Sequence, residues 1–146
     1  MARKTNSELQ TLAGERIPPQ AVEVEQAVLG AMLLDKDAIG KVFEIIGDET
    51  FFYKEGHQKI YSTILSLYDK NEPADLVTVP AELSKRKELE TIGGRDYLLE
   101  LTESVVTSAN VEYHAKIVLE KGILRKLIEM GQGINVISDL FNTLRT

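Results

Sequence analysis

The stretch ERIPPQAVEVEQAVLGAMLLD, Glu15 to Asp35, decides the fold class. After two prolines it is almost wholly apolar, yet two glutamates interrupt it. At about 100° per residue, helical projection collects an apolar face. Its members are Ala21, Val24, Val28, Ala31 and Met32, extended by Val22, Leu29 and Leu33. Glu23 falls with Gln26 and Gly30 on the opposite, wettable side, whereas Glu25 projects into the apolar face.

Glu25 needs an explanation because a buried carboxylate without a partner is energetically costly. We expect its carboxylate to accept hydrogen bonds from a neighbouring helix start or to pair with a basic side chain. Such a contact would fix the rotation of the first helix, which we predict from about Ala21 to Leu34. Pro18 and Pro19 impose an extended approach to that helix, since proline disfavours helix in the residue before it.

The composition of the chain limits the classes of protein to which it can belong. A chain of 146 residues with 43% hydrophobic and 27% charged residues predicts one globular domain with a core. A net charge of -6 argues against a surface that is basic all over and binds nucleic acid. Zero cysteines exclude disulfides and thiolate metal sites. Since there is neither a long apolar run nor an apolar signal-peptide core, we expect a cytoplasmic protein.

Further helices follow the first. Asp35 or Asp37 can cap a second helix through AIGKVFEII, whose apolar residues recur at helical spacing. These residues are Ile39, Val42, Phe43 and Ile46. The stretch FFYKEGHQKIYSTILSLYDKN predicts a third helix that is apolar on nearly all sides and lies near the centre of the core.

The middle of the chain predicts a loop and two shorter helices. In EPADLVTVPAEL we expect Thr78 to cap a helix that begins at Val79, with Pro80 tolerated in its first turn. Gly93 and Gly94 then break the chain before a short helix in RDYLLELTESV.

The last helical region begins after Ser108, its expected cap, and carries a heptad pattern. Apolar residues follow spacings of 4, 3, 4, 3, 4 and 3 at Ile123, Leu127, Met130, Ile134, Ile137, Phe141 and Leu144. The pattern indicates a coiled coil, and an amphipathic helix packed on its own domain is the alternative. Leu124, Ile128 and Leu140 lie off this seam and would need a second surface, which favours a partner. We expect a continuous helix through Gly122 and a turn near residues 131–135.

Motifs for catalysis are absent from the sequence. It contains no GxxxxGK[ST] phosphate loop and no GxSxG elbow. His57 and His114 lie far apart without a second ligand at metal spacing, so we expect surface or partly buried histidines. The basic residues at 85–87 alternate with glutamates, as is typical of a solvated face. We therefore predict no catalytic, cofactor-binding or metal-binding residue.

Four stretches together resemble one family. RIPPQAVEVEQAVLGAMLLD, HQKIYSTILSLYDKNEPADLVTV, ELETIGGRDYLLELTESVVTSANVEYHAKIV and LRKLIEMG are similar to the amino-terminal domain of DnaB-type bacterial replicative DNA helicases. The match extends from about Arg16 to Gly133. At the end, NVISDLFNTLRT is short and apolar where the family has an acidic return helix.

The resemblance implies an all-α fold, with a globular helical head followed by a long helix or helical hairpin. We divide the chain into an arm at 1–16, a head at 17–106 and a segment at 107–146 for oligomerisation and docking. The resemblance also implies that this domain forms part of a collar on a hexameric helicase ring, and that the collar docks primase in the primosome. The partners would be further copies of the chain, the helicase-binding domain of primase and a helicase loader. DNA would be contacted only indirectly and membranes not at all, and ATP and Mg²⁺ would belong to the family's ATPase domain.

The resemblance and the heptad pattern nominate residues for a partner-binding surface, for which ordinary core packing is the alternative. These residues are Tyr97, Ile123, Leu127, Ile128, Met130, Ile134 and Ile137. Glu25, Pro18 and Pro19 are expected to be structural. Two other functions are compatible with the sequence. The chain could be a stand-alone regulator that imitates this domain and binds helicase, primase or loader, or it could bind DNA directly.

Overall fold

The computed structural model describes residues 17–131, and this part of the chain is helical without a strand. The helices are α1 (Val22–Leu34), α2 (Lys36–Ile45), α3 (Glu55–Asp69), α4 (Thr78–Lys85), α5 (Leu89–Ile92), α6 (Gly94–Glu103) and α7 (Val111–Glu129). Two 3₁₀ turns, Glu49–Phe51 and Ser108–Asn110, lie between them. The prediction of an all-α fold is confirmed. The arm at 1–16 and the candidates Ile134 and Ile137 lie outside the described residues.

Helix α1 lies at the centre and packs against α2, α3, α6 and α7. Its predicted apolar face is confirmed, because Val28, Leu29 and Met32 are fully buried. The expectation that Gly30 faces solvent is wrong. A Cβ atom built there would stand 2.1 Å from the backbone oxygen of Leu101 on α6. Helices cover α1 on more than one side, so the supposed wettable side is also a packing surface.

Helix α2 begins with the predicted cap, since the Asp35 carboxylate accepts a 2.9 Å hydrogen bond from the amide of Asp37. Ile39, Val42 and Ile46 are buried as expected. Phe43 is instead 45% exposed. It follows Val42, which points straight inward, so at about 100° per residue its side chain falls at the edge of the interface.

Helix α3 supplies much of the core, as predicted, although it begins only at Glu55, after FFYK. Ile60, Tyr61 and Ile64 are fully buried. The Tyr61 hydroxyl donates to the carbonyl of Ile46, which satisfies its polar atom inside the core. Burial raises the pKa of the Tyr61 phenol well above its ordinary value, so it remains a donor.

The predicted cap of α4 is wrong. Asp75 makes the cap, because its Oδ1 accepts from the amides of Val77 at 2.9 Å and Thr78 at 3.0 Å. Thr78 is the first helical residue, and its hydroxyl donates to the carbonyl of Pro73 at 2.7 Å. Because Asp75 precedes Thr78 in the chain, its carboxylate and not the Thr78 hydroxyl accepts from the free amides at the start of the helix. The hydrogen bonds from Thr78 and Val77 lower the pKa of Asp75. Pro80 does lie in the first turn.

Ser108 is likewise not a cap. The hydroxyl of Thr107 accepts a 3.2 Å hydrogen bond from the amide of Ala109, and Ser108 donates to the Asp35 carboxylate at 2.9 Å. Helix α7 begins only at Val111. It continues through Gly122, as predicted, and ends at Glu129.

Glycines end the helices where the sequence predicted breaks. Gly93, between α5 and α6, has a φ of 113°, Gly94 at the start of α6 has a φ of 74°, and Gly131 has a φ of 74° just after α7. This left-handed region carries little penalty for glycine. Gly131 is the first residue of the turn predicted at 131–135, and the other residues of that turn lie outside the described part of the chain. The proposed division at residue 107 stays a prediction.

Candidate protein interaction site

The carboxylate of Glu25 lies on the buried side of α1 and is 1% exposed. Its Oε2 accepts a 2.6 Å hydrogen bond from the amide of Tyr53, and its Oε1 accepts from the amide of Lys54 at 3.4 Å. Oε1 also lies 2.7 Å from Nδ1 of His57. Tyr53 and Lys54 immediately precede α3, whose amino terminus favours a negative charge. Glu25 thus makes both kinds of contact expected for it, with a helix start and with a basic side chain.

His57 is fully buried, so the expectation of a surface or partly buried histidine is wrong. Its Nε2 lies 2.5 Å from the hydroxyl oxygen of Tyr97, opposite the contact with Glu25. Both ring nitrogens therefore have a polar partner inside the domain. Because both partners are distant in the chain, no local spacing could reveal this burial. His114 is partly buried beside the ring of Tyr113, as expected.

Tyr97 is half-buried on α6 and carries the hydrogen-bond chain to the surface. Its hydroxyl accepts from the side-chain amide of Gln26 at 3.2 Å and from the ammonium group of Lys54 at 3.4 Å. The same ammonium lies 4.6 Å from the centre of the Tyr97 ring, at cation–π distance. Tyr97 therefore belongs to a polar network on α1, α3 and α6. The other described partner-binding candidates lie on α7 or, for Met130, directly after it.

Helix α7 carries two stripes of side chains. An inward stripe is buried against the domain at spacings of 4, 3, 4 and 3: Val111, Ala115, Val118, Gly122 and Arg125. The predicted seam lies on a different side of the helix. Its members Ile123 and Leu127 are both half-buried. Ile128 and Met130 are 47% and 69% exposed. Helix α7 thus packs on its own domain through the inward stripe, and the exposed apolar side chains Ile128 and Met130 lie off this stripe at its carboxyl-terminal end.

Leu124 and Ile128, expected off the seam, differ in exposure. Leu124 is 5% exposed and Ile128 is 47% exposed. They are four residues apart and so project from the same side of α7. Leu124 projects about 200° away from Gly122, which lies on the inward stripe. Ile128 therefore adds one exposed apolar side chain outside the predicted seam, whereas Leu124 is buried.

Arg125 is a buried charged residue that the apolar pattern did not reveal. It is 8% exposed. Its Nη1 donates to the carbonyl of Pro19 at 2.7 Å, and its Nη2 donates to the carbonyl of Phe51 at 2.6 Å. The guanidinium also lies 5.3 Å from the centre of the Tyr53 ring. Burial lowers the pKa of Arg125, while the negative charge of Glu25 acts in the opposite direction.

Two neighbours of Arg125 complete this contact. A Cβ atom at Gly122 would stand 2.8 Å from both the carbonyl oxygen and the ring of Phe51, so only glycine allows this approach. The ammonium group of Lys126 donates to the Thr50 hydroxyl at 2.9 Å and lies 5.0 Å from the centre of the Phe51 ring. The carboxyl-terminal half of α7 therefore rests on the Glu49–Phe51 turn.

Pro18 and Pro19, expected to be structural, precede α1 in an irregular segment. Pro18 is exposed and Pro19 is half-buried, and the carbonyl of Pro19 is a partner of Arg125. The side-chain oxygen of Gln20 accepts a 3.1 Å hydrogen bond from the amide of Val22, the first residue of α1. This entry segment thus connects the start of the first helix with the last.

The charged residues around 82–88 form the solvated face that the sequence predicted. Arg86 lies 3.5 Å from Glu82, and Lys59 lies 3.1 Å from Glu88. Among residues 17–131 no group of three or more histidine, aspartate or glutamate side chains could hold a metal ion. Within the same residues, no helix is both long and apolar enough to cross a membrane.

The fold and its surfaces define a class, namely a small helical domain that presents apolar side chains on its last described helix. A family model described as "DnaB-like helicase N terminal domain" matches residues 17–120. The chain belongs to this family. The resemblance seen in the four sequence stretches is therefore confirmed.

Individual relatives agree with the family. The chain is 53% identical to "Replicative DNA helicase DnaB" of Geobacillus stearothermophilus over 84% of this chain and 27% of that protein. It is 50% identical to "Replicative DNA helicase DnaC" of Bacillus subtilis (strain 168), over 80% of this chain and 26% of that protein. The chain thus spans about a quarter of the length of these relatives.

A solved structure gives the same result for the fold. The crystal structure of the N-terminal domain of DnaB helicase from Mycobacterium tuberculosis matches with a TM-score of 0.77 and 51% sequence identity. The match covers 79% of this chain and 81% of that one. The fold, like the sequence, is therefore that of the amino-terminal domain of a replicative helicase.

Proposed function

We propose that this domain assembles with further copies of itself in a helicase collar and docks the helicase-binding domain of primase. The names of the relatives, which are replicative DNA helicases, support a role within a helicase. The observation that carries the proposal is the outward surface of α7. Ile128 and Met130 remain about half exposed or more, while a separate stripe of the same helix packs on the domain.

The physical argument is the cost of leaving this surface in water. Apolar area contributes roughly 25 cal/mol per Å² when it is buried, so covering each side chain would supply about 1 kcal/mol. Exposed apolar side chains of a helix are also typical anchors through which helices dock in complexes. A partner that covers this surface therefore gains free energy without disturbing the inward stripe.

The proposal also covers the cofactors, the other partners and the place of action of a whole helicase. ATP and Mg²⁺ would be bound by an ATPase domain, and residues 17–131 would bind no cofactor. A helicase loader would be a further partner, DNA would be contacted indirectly, and the place of action would be the cytoplasm. Names of the relatives as replicative helicases support these roles.

Titration calorimetry with the carboxy-terminal domain of a bacterial primase tests docking. We expect saturable heat with the wild-type chain. Ile128→Asp should bind at least tenfold more weakly, because removing the new charge from water on binding makes the binding free energy less favourable by more than about 1.4 kcal/mol. Tyr113→Asp is the matched control, because Tyr113 is 67% exposed near the other end of α7. Absence of saturable heat up to high micromolar concentration would overturn the docking proposal.

Light scattering tests self-association. We expect the molar mass of the chain to rise with concentration, and Met130→Asp to shift that rise to higher concentration. A molar mass that stays at the value of one 16.3 kDa chain over the whole range would exclude self-association through this surface.

A further inference from the structure

The two halves of α7 are attached to the domain by different chemistry. In residues 111–119, the buried side chains Val111, Ala115 and Val118 belong to the hydrophobic core. In residues 120–129, the inward positions are Gly122 and Arg125. We call these ranges the proximal half and the distal half. The distal half also carries the exposed Ile128, close to Met130.

Arg125 connects the distal half with two remote parts of the chain. Its bond to the Pro19 carbonyl spans 106 positions, and its bond to the Phe51 carbonyl spans 74. The segment after Phe51 is itself held by Glu25, which accepts from the amide of Tyr53 at 2.6 Å. One buried guanidinium therefore joins the end of α7, the entry to α1 and the segment before α3.

We propose that Arg125 is a positioning residue that fixes the direction of the distal half and thereby the orientation of Ile128 and Met130. It acts through the carbonyl groups of Pro19 and Phe51. The effect of Arg125 on the helix is inferred from these contacts alone. Its effect on a partner rests on the proposed function.

The chemistry of arginine suits this role. A planar guanidinium presents several donors in a rigid fork and can bond two carbonyl groups at once. A lysine ammonium has the same charge but no such fork, so one carbonyl would lose its partner or the helix would shift. The absence of a side chain at Gly122 allows the helix to approach Phe51 closely, and the Phe51 carbonyl accepts one of these bonds.

Hydrogen exchange measured by mass spectrometry on the full chain tests the proposal. Arg125→Ala should raise exchange in residues 120–129 by at least roughly tenfold, because two hydrogen bonds to a charged group are lost. Exchange in residues 111–119 and in α3 should stay within about twofold of wild type. Arg125→Lys should give an intermediate increase, and Lys116→Ala, an exposed change in the proximal half, should give none.

Two results would overturn the proposal. A uniform increase over α3 and both halves of α7 would mean that Arg125 contributes only to global stability. Unchanged exchange in the distal half would mean that its bonds do not hold the helix.

A cross-link keeps the test informative if Arg125→Ala is poorly folded. The sequence has zero cysteines, so thiols introduced by Thr50→Cys and Lys126→Cys can be joined selectively by a short bifunctional reagent. These positions are in contact in the wild-type fold. The cross-link in Arg125→Ala should restore the slow exchange of the distal half, and failure to restore it in a folded protein would contradict the proposal.

Calorimetry with the primase domain separates the positioning effect from the proposed function. If wild type binds, Arg125→Ala should weaken binding at least threefold and the cross-link should recover most of it. Unchanged affinity of Arg125→Ala would remove the link between Arg125 and the partner surface. If wild type does not bind, the docking proposal fails, whereas the exchange result still decides whether Arg125 positions the helix.

Discussion

The proximal and distal halves of α7 form one continuous helix, yet they are held in different ways. Val111, Ala115 and Val118 join the hydrophobic core of the domain. Arg125 and Lys126 in the distal half instead make hydrogen bonds to the entry segment and to the Glu49–Phe51 turn. Apolar packing contributes to the stability of the whole domain, whereas in our proposal a few directional bonds set the position of one helix end. The proposed partner-facing residues lie at the end that is held by bonds.

The largest effect is expected from Ala115→Asp in the proximal half. Ala115 is fully buried. An unpaired carboxylate there should lower the free energy of unfolding by about 4 kcal/mol or more, which is close to the whole stability of many domains. Thermal denaturation followed by circular dichroism measures the change. Lys116→Asp, an exposed substitution to the same residue, should cost less than about 1 kcal/mol, and similar losses for both variants would contradict the packing described.

Glu25→Ala should have the next largest effect. It leaves the amide of Tyr53 and the ring of His57 without their buried partner, so we expect a loss of about 3 kcal/mol in the free energy of unfolding. Denaturant unfolding measures it. Glu23→Ala is the control, because Glu23 lies in the same turn of α1 but is exposed. Equal stabilities of the two variants would show that the buried carboxylate has no structural role.

Gly122→Ala should act on the distal half. The new methyl group meets Phe51 at 2.8 Å, and such overpacking costs about 1–3 kcal/mol, of which better helix propensity offsets about 1 kcal/mol. We therefore expect a small net loss of stability and faster hydrogen exchange in residues 120–129. Gly47→Ala is the control, since nothing lies within 4 Å of a Cβ atom there. Unchanged exchange after Gly122→Ala would mean that the close approach is not required.

Asp48→Ala should have the smallest effect and should depend on pH. The Asp48 carboxylate accepts a 2.6 Å hydrogen bond from the amide of Thr50, and the hydrogen bonds with Thr50 lower its pKa. A carboxylate with a lowered pKa in the folded state stabilises above its unfolded pKa, and this contribution disappears as pH falls through the folded value. We expect Asp48→Ala to cost about 1 kcal/mol at pH 7. The difference from wild type should shrink below about pH 4, and a constant difference would contradict this origin.

Much of the fold follows from the sequence because the signals are local. Periodic apolar residues predicted α1, α3 and the continuous α7, and glycines marked the breaks at 93–94 and 131. The caps were harder, since Asp75 and Thr107 lie within a few residues of the predicted Thr78 and Ser108, and several side chains compete for the same amides. Gly30 was wrongly placed because helical projection cannot show how many neighbours a helix has.

The polar contacts were only partly predictable. The cost of burying Glu25 required a partner, but the partners at His57 and at the start of α3 lie 32 and 28 positions away, and no spacing rule reaches that far. Arg125 lies in the apolar run GILRKLI, and the seam pattern drew attention to its neighbours instead. Its position on the inward stripe becomes evident only once α7 is known to pack on the domain.

We propose, in short, that the distal half of α7 presents the partner surface while the proximal half belongs to the core. Hydrogen exchange of the chain with and without saturating primase carboxy-terminal domain distinguishes the two halves in one experiment. We expect added protection in residues 120–129 and unchanged exchange in residues 111–119. Protection confined to other helices, with α7 unchanged in a complex shown to form, would refute this assignment.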